Sequence, residues 1–309
     1  MKIGFSTRVC PEWDLTTVVT KAAELGYDGV ELGAMQGTAH LPAVGELTSD
    51  PDAVQRMFTD KGVELVCLGT GETLVSWNVR ETAQSLERIL DVVRLASRLG
   101  CPFVRVPIGE VPKGDSRDRT LSRLASMFES LAVPADRHRV TLLVENGGDY
   151  AGSEDIWFVI DHVAHPAVAA CWNPCPAMTR LERPTISIPR LGTRIKLVRV
   201  CDGTFDERGR FGGYAIPGKG SVDFQRMIDL LRGIIYRGYL VFDWPKAVVA
   251  DLPDAGTVLP TVRTQLREWI DAKTEPLTAY RGDKKAVRLN LPDSEASPQG
   301  IAKAGEPAN

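Results

Sequence analysis

The sequence predicts an α/β protein of the (β/α)₈ barrel class, and three observations predict it. Eight short apolar runs alternate with stretches long enough for a helix or crossover, the pattern of a parallel sheet, and eight strands close one. Four runs in the second half, VTLLVENG, VAACWNP, KLVRVCDG and YLVFDWP, each reach a polar residue at the same relative place: Glu145, Asn173, Arg199 and Asp243. A barrel presents its reactive groups there, at the carboxyl ends of its strands. Finally, the first apolar run is followed by STRVCPEW, which contains no glycine, whereas an open doubly wound sheet carries a glycine-rich turn at that point.

The elements follow in order. Residues 2–9 read as a strand. Asp14 is placed to cap a helix whose Leu15, Val18, Val19, Ala22 and Leu25 form one apolar stripe, and Gly26 ends it. Strand two is 29–32; after a long loop, Asp50 and Pro51 open a helix reaching Lys61. Strand three is 63–69. Leu86, Ile89, Leu90, Val93 and Ala96 give the 82–99 stretch a helical period, with Gly100 as its stop. Strand four is 101–109, helix four about 118–137, strand five 140–146, and helix five begins after Ser153. Strand six, 168–173, leads into a proline-rich crossover with little obvious helix. Strand seven is 195–201, helix seven starts near Asp223, strand eight is 239–244, and helix eight is about 257–272. The barrel domain is therefore 1–273. Residues 274–309 are polar and lack periodicity, as an extended or partly disordered tail does, with KAVRLNL the one segment fit for a short strand.

Composition narrows the function classes. The chain has 309 residues, 43% hydrophobic and 25% charged, with a net charge of −3. That balance argues against nucleic acid or anionic membrane as partner. No apolar stretch approaches the ~20 residues of a membrane span, and MKIGFSTRV runs straight into a strand pattern. The expectation is a cytoplasmic protein without a signal peptide, acting on a small molecule; homo-oligomerisation stays open. The six cysteines, Cys10, Cys67, Cys101, Cys171, Cys175 and Cys201, form no CxxC and no zinc spacing, so reduced, buried thiols are expected. Cys175 and Cys201 stand out because both fall near strand ends on the site face.

Strand alternation offers a check on the candidate site. If Glu145, Asn173, Arg199 and Asp243 point inward, so do Leu143, Cys171, Leu197 and Val241, and below them Thr141, Ala169, Ile195 and Tyr239. Val144, Trp172, Val198 and Phe242 then face the helices. Polar groups at the mouth of an apolar barrel must pair with one another or meet a ligand. One outcome is an internal ion-pair network of Arg199 with Glu145 and Asp243; the other is chemistry.

The motifs GYDGVEL, LLVENGGDYAGSED, KLVRVCDG, IPGKGSVDF and GYLVFDWPK, in this order and at barrel spacing, make residues 1–272 resemble the xylose isomerase-like TIM barrels, which include sugar phosphate isomerases and epimerases and the endonuclease IV group. The resemblance implies a divalent metal, often Mn²⁺, Mg²⁺ or Co²⁺, held by Glu, Asp, His and Glu, with the two Glu side chains also moving protons. Glu145 keeps the first position. Asn173 stands at the Asp position, Arg199 at the His position and Asp243 at the second Glu position. A guanidinium donates only and cannot ligate a cation. The expected site therefore has no metal ligands and no cofactor, with Mn or Mg through Glu145, Asn173 and Asp243 as the alternative. Catalysis is assigned to Glu145 and Asp243 as acid and base and to Arg199, whose fork would hold a carbonyl or enediolate oxygen.

Further candidates for substrate binding are Asn173, Arg105, His40 in the loop after strand two, Glu72, Trp13 and Trp244, with Glu31 also near the mouth. Arg105 and Glu110 either line the pocket or pair with each other. In IPGKGSVDF, Gly218 and Gly220 either present N–H groups to a phosphate or carboxylate or form a tight capped loop. The functional expectation is a sugar isomerase/epimerase-like enzyme abstracting a proton next to a carbonyl of a small sugar, keto-sugar or sugar-derived acid. The rivals are a metal-dependent isomerase with a degenerate ligand set and a non-catalytic carbohydrate-binding barrel.

Overall fold

The strands β1 (Lys2–Ser6), β2 (Gly29–Leu32), β3 (Glu64–Gly69), β4 (Phe103–Pro107), β5 (Thr141–Glu145), β6 (Val168–Trp172) and β7 (Ile195–Val200) lie side by side in sequence order. A hairpin, β8 (Asp202–Phe205) with β9 (Phe211–Ala215), separates β7 from the last barrel strand, β10 (Tyr239–Phe242). β10 pairs with both β7 and β1, so the barrel of eight parallel strands is closed. This computed structural model describes residues 1–71, 73, 74 and 78–272. The tail at 274–309 with its KAVRLNL segment, and the candidate Glu72, lie outside the described residues.

Local chemistry explains the helices around the barrel. Asp14 caps α1 (Leu15–Glu24) by accepting from the Thr17 N–H at 2.7 Å, and Asp50 caps α3 (Pro51–Asp60) through Ala53 N–H. A short α2 (Gly45–Thr48) lies between them. Asn78 caps α4 (Val79–Arg98). Gly26 and Gly100, past the ends of α1 and α4, have φ of +71° and +66°, the left-handed stop that glycine supplies without strain. Next come α5 (Arg117–Arg137) and α6 (Ser153–Val163).

The proline-rich crossover departs from expectation. It holds two helices, α7 (Pro174–Thr179) and α8 (Pro184–Leu191). Both begin on proline, whose fixed φ and missing N–H suit the first helical position; reading proline as a breaker hid them. α9 (Phe224–Gly233), capped by Asp223, and α10 (Ala255–Asp271) complete the ring.

Two apolar layers result. Val66, Cys67, Leu143, Ala169, Cys171, Leu197, Tyr239 and Val241 form a cluster of their own inside the barrel. Val144, Trp172, Val198 and Phe242 pack outward in the larger cluster shared with the helices. The inward row thus holds, with one correction: Ile195 joins the outer cluster, where β7 emerges from a 3₁₀ turn and the β6–β7 register shifts. Tyr239 plugs the amino-terminal end. Its ring fits because Gly29 and Gly4 lack side chains; a Cβ on Gly29 would come within 2.9 Å of it.

Candidate active site

Glu145 is the last residue of β5, Asn173 follows β6, Arg199 lies within β7, and Asp243 follows β10. Direct contacts join all four at the carboxyl end of the barrel. Arg199 donates to Glu31 and lies 2.5 Å from Asp243 Oδ1 and 3.6 Å from Glu145 Oε1. Asn173 Nδ2 donates to Glu145 Oε1 at 3.1 Å. Arg105 bridges Glu31 and Glu145, with Nη2 3.1 Å from the first and Nη1 2.5 Å from the second. Arg8, just after β1, donates to Asp243 Oδ2 at 3.1 Å. Three carboxylates therefore face three guanidinium groups in one buried lattice.

The lattice is electrostatically closed. Glu31 and Arg199 are fully buried, and Arg105, Glu145 and Asp243 nearly so. Burial alone would raise the Asp243 carboxyl; Arg199 and then Arg8 outweigh it and hold the group well below the usual carboxylate range. Glu31 is treated alike: burial pushes it up, and Arg105 and Arg199 bring it below its ordinary value. Breaking such a pair would strand a charge in the interior, at a cost of roughly 3–5 kcal/mol.

Small residues make the lattice fit. A Cβ on Gly69 would lie 2.8 Å from Arg105 Nη2, and one on Gly33 would lie 2.9 Å from Ser6 Oγ and 3.0 Å from Arg8 Cγ. Asn146 carries the frame outward: its amide donates to the carbonyls of Ala151 and Asn173 and accepts from the Asn173 N–H. Asn173 in turn caps α7 through the Cys175 N–H.

Several sequence expectations change. Arg199 is 0% exposed, so its fork grips carboxylates of the chain and is closed to a substrate oxygen. Trp244 is 1% exposed, and its indole N–H is bonded to the Pro253 carbonyl; it is a packing residue, not a ring platform. Arg105 turns inward to Glu31 and Glu145, not to Glu110. The Gly218 and Gly220 N–H groups are already taken. Both donate to Asp202 Oδ2 at 2.9 Å, while Gly203 and Val222 donate to Oδ1, so these donors are satisfied by the chain's own carboxylate, as in a tight capped loop.

Trp13 is half-buried against the core beside the mouth. His40 is half-buried, with an Nδ1 that has no hydrogen-bond partner among the described residues. All six cysteines are buried free thiols, and burial drives Cys67 and Cys171 well above the ordinary thiol range. Sequence reasoning missed Arg8 and Asn146. Arg8 was legible in the strand period, two positions after inward-facing Ser6; Asn146, adjoining Glu145, carried no signal of its own.

A family model described as the xylose isomerase-like TIM barrel matches residues 19–269. The chain belongs to that family. Solved structures agree on the fold. The IOLI protein with a bound zinc atom aligns with TM-score 0.76 at 13% identity, over 87% of this chain and 98% of its own. The 3-keto-D-glucoside 4-epimerase YcjR from E. coli aligns with TM-score 0.68 at 17% identity, over 87% and 98%. An L-ribulose 3-epimerase aligns with TM-score 0.70 at 15% identity, over 89% and 99%. No curated protein matches the sequence. Among the described residues no helix is long and apolar enough to cross a membrane.

Family membership raises the question of a divalent metal, and this donor set does not fit one. Glu145 gives its two oxygens to Asn173 and Arg105, Asp243 gives its two to Arg199 and Arg8, and the Asn173 side-chain oxygen Oδ1 accepts from the Cys175 N–H. The Arg199 guanidinium at the centre offers no lone pair and repels a cation.

Proposed function

We propose that this barrel is a sugar isomerase/epimerase-like enzyme acting on a small keto-sugar or sugar-derived acid, by proton transfer next to a carbonyl and without a resident divalent ion. The observation that carries the reading is Arg199 bound to Glu31, Asp243 and Glu145 at the centre of the mouth. Its charge does for these carboxylates what a metal ion would do: it holds several anions together in a dry site. The two epimerases and the zinc-bound IOLI protein share its fold.

The roles follow from position and exposure. Glu145 is the base: it takes the proton from the carbon beside the carbonyl, and the electron pair moves to the carbonyl oxygen as an enediolate. Arg8, whose side chain is 28% exposed, is the cation of the lattice most open to that oxygen. Asp243, held far down by Arg199 and Arg8 once burial is offset, stays ionised and orients Arg8; it is a poor proton donor at neutral pH. That leaves one base. Glu145 returns the proton to the adjacent carbon while the neighbouring hydroxyl proton passes to the former carbonyl oxygen, which suits isomerisation better than inversion between two opposed carboxylates.

The test is exchange of carbon-bound protons in deuterated water, followed by NMR, on keto-sugars and sugar acids that the protein binds. Glu145→Gln should lower exchange by about 10²–10⁴ while leaving binding within a few fold. A second reading, a non-catalytic carbohydrate-binding barrel, draws on the partnering of both Glu145 oxygens. It wins if wild-type protein binds a sugar and exchanges none of its protons.

A further inference from the structure

The β8–β9 hairpin carries a line of aromatic rings from the solvent to the barrel. Phe205 meets Phe211 at 5.4 Å between centroids, Phe211 meets Tyr214 at 4.8 Å, Tyr214 meets Trp244 at 6.4 Å, and Trp244 stacks on Phe242 at 5.8 Å. The inner end is buried beside Asp243. The outer end is open: Phe211 is 44% and Tyr214 37% exposed. Large apolar rings left open on a built element signal a contact surface.

The hairpin is fixed at its base. Asp202 at its start accepts the Gly218, Gly220 and Val222 N–H groups that follow its second strand. Gly203 leaves room for the Phe211 ring, which would otherwise meet a Cβ at close contact. Tyr214 is thus held by the ring edges of Phe211 and Trp244 without needing a ligand. No hydrogen bond is formed by its hydroxyl among the described residues. The charges that bear on it are those of the mouth, Asp243 and Arg8; burial raises its pKa most, Asp243 adds to this and Arg8 opposes it, so it stays a neutral phenol.

We infer that Tyr214 is a specificity-determining wall of the substrate site, stacking on the carbon–hydrogen face of a ring-form sugar whose oxygens reach Arg8. This rests on the carbohydrate reading above and adds to it a substrate class: a ring-form sugar that carries its carbonyl as a ketone on a ring carbon, not an open-chain sugar. A half-exposed phenol serves both ends, its face apolar and its hydroxyl free for a sugar hydroxyl. Trp244, the ring that the sequence offered for this task, acts instead as the buried backing on which Tyr214 rests.

The experiment uses saturation-transfer NMR and calorimetry with methyl β-D-glucopyranoside, which is locked as a ring, and sorbitol, which is acyclic. Wild type should prefer the ring probe. Tyr214→Ala should weaken it by about tenfold and leave sorbitol unchanged, whereas Tyr214→Phe should stay within a few fold. Ile235→Ala, an exposed apolar side chain between α9 and β10 at the other end of the barrel, serves as the control and should behave as wild type. Circular dichroism checks that each variant is folded. Ring binding that survives Tyr214→Ala, or falls equally in Ile235→Ala, overturns the assignment of Tyr214 while the carbohydrate reading stands. A wild type that binds sorbitol better than the ring overturns the substrate class. A wild type that binds neither probe, nor any keto-sugar or sugar acid of the exchange assay, removes the carbohydrate reading and this one with it.

Discussion

Arg199 lies 2.5 Å from Asp243, both shut off from solvent, at the centre of the barrel mouth. Neither can lose the other cheaply. Arg199→Leu leaves Glu31, Asp243 and Glu145 short of a counter-charge and should cost about 3–5 kcal/mol, measured as a fall in the urea midpoint. Arg199→Lys keeps the charge but cannot reach three carboxylates at once, so its loss should be intermediate. A midpoint unchanged in Arg199→Leu would mean the lattice contributes nothing.

The same pair sets the acid limit of the fold. Burial pushes Asp243 up, but Arg199 and Arg8 win and hold it below its ordinary value, and Glu31 is also lowered. A carboxyl depressed in the folded state contributes stability above its unfolded pKa of ~3.9–4.3. That contribution is lost as pH falls through the folded value. Stability should therefore decline from about pH 4 downward, and Asp243→Asn should show a shallower decline. Equal slopes for wild type and variant in urea titrations between pH 6 and pH 3 would contradict this.

Arg199→His should convert the site toward metal binding. It removes the central cation, supplies a lone pair, and frees Oδ1 of Asp243. Calorimetry with Mn²⁺ or Co²⁺ should give up to one ion per chain for the variant, and far less than one for wild type. Stoichiometric binding by wild type at Glu145 and Asp243 would restore the metal-dependent alternative.

Gly69→Ala tests the packing of the lattice. Its new methyl would sit 2.8 Å from Arg105 Nη2, forcing the guanidinium away from Glu31. Overpacking of this kind should cost about 1–3 kcal/mol. Gly45→Ala, where nothing lies near and φ is likewise not positive, reports the change of residue alone. If the two variants lose equal stability, the close approach of Arg105 is not what Gly69 permits.

Most of the barrel was legible because strand and helix periods are local: the apolar stripe of α1, its Asp14 cap and its Gly26 stop all lie within thirteen residues. The four strand-end residues were legible for the same reason. Pairing of Arg199 with Glu145 and Asp243 was legible as one of two outcomes, and the structure has it; the share of Glu31, Arg105 and Arg8 in it was not. Glu31 and Arg105 come from strands two and four, and which arginine meets which carboxylate depends on how the barrel closes, which no window of sequence contains. Arg199 was expected to face substrate because strand ends usually do; three carboxylates drew it beneath the surface instead. The hairpin escaped notice because glycine-rich FGGYA reads as a loop, and its aromatic line is visible only once β8 and β9 pair.

The Asp202 clamp has a consequence for ligand choice. A helix N-terminus preceded by free backbone N–H groups is a ready site for an anion. Here the chain supplies that anion itself, on the residue that starts the hairpin. The Gly218, Gly220 and Val222 N–H groups are already spent on it, so a phosphate brought to this loop would have to displace a buried carboxylate of the chain.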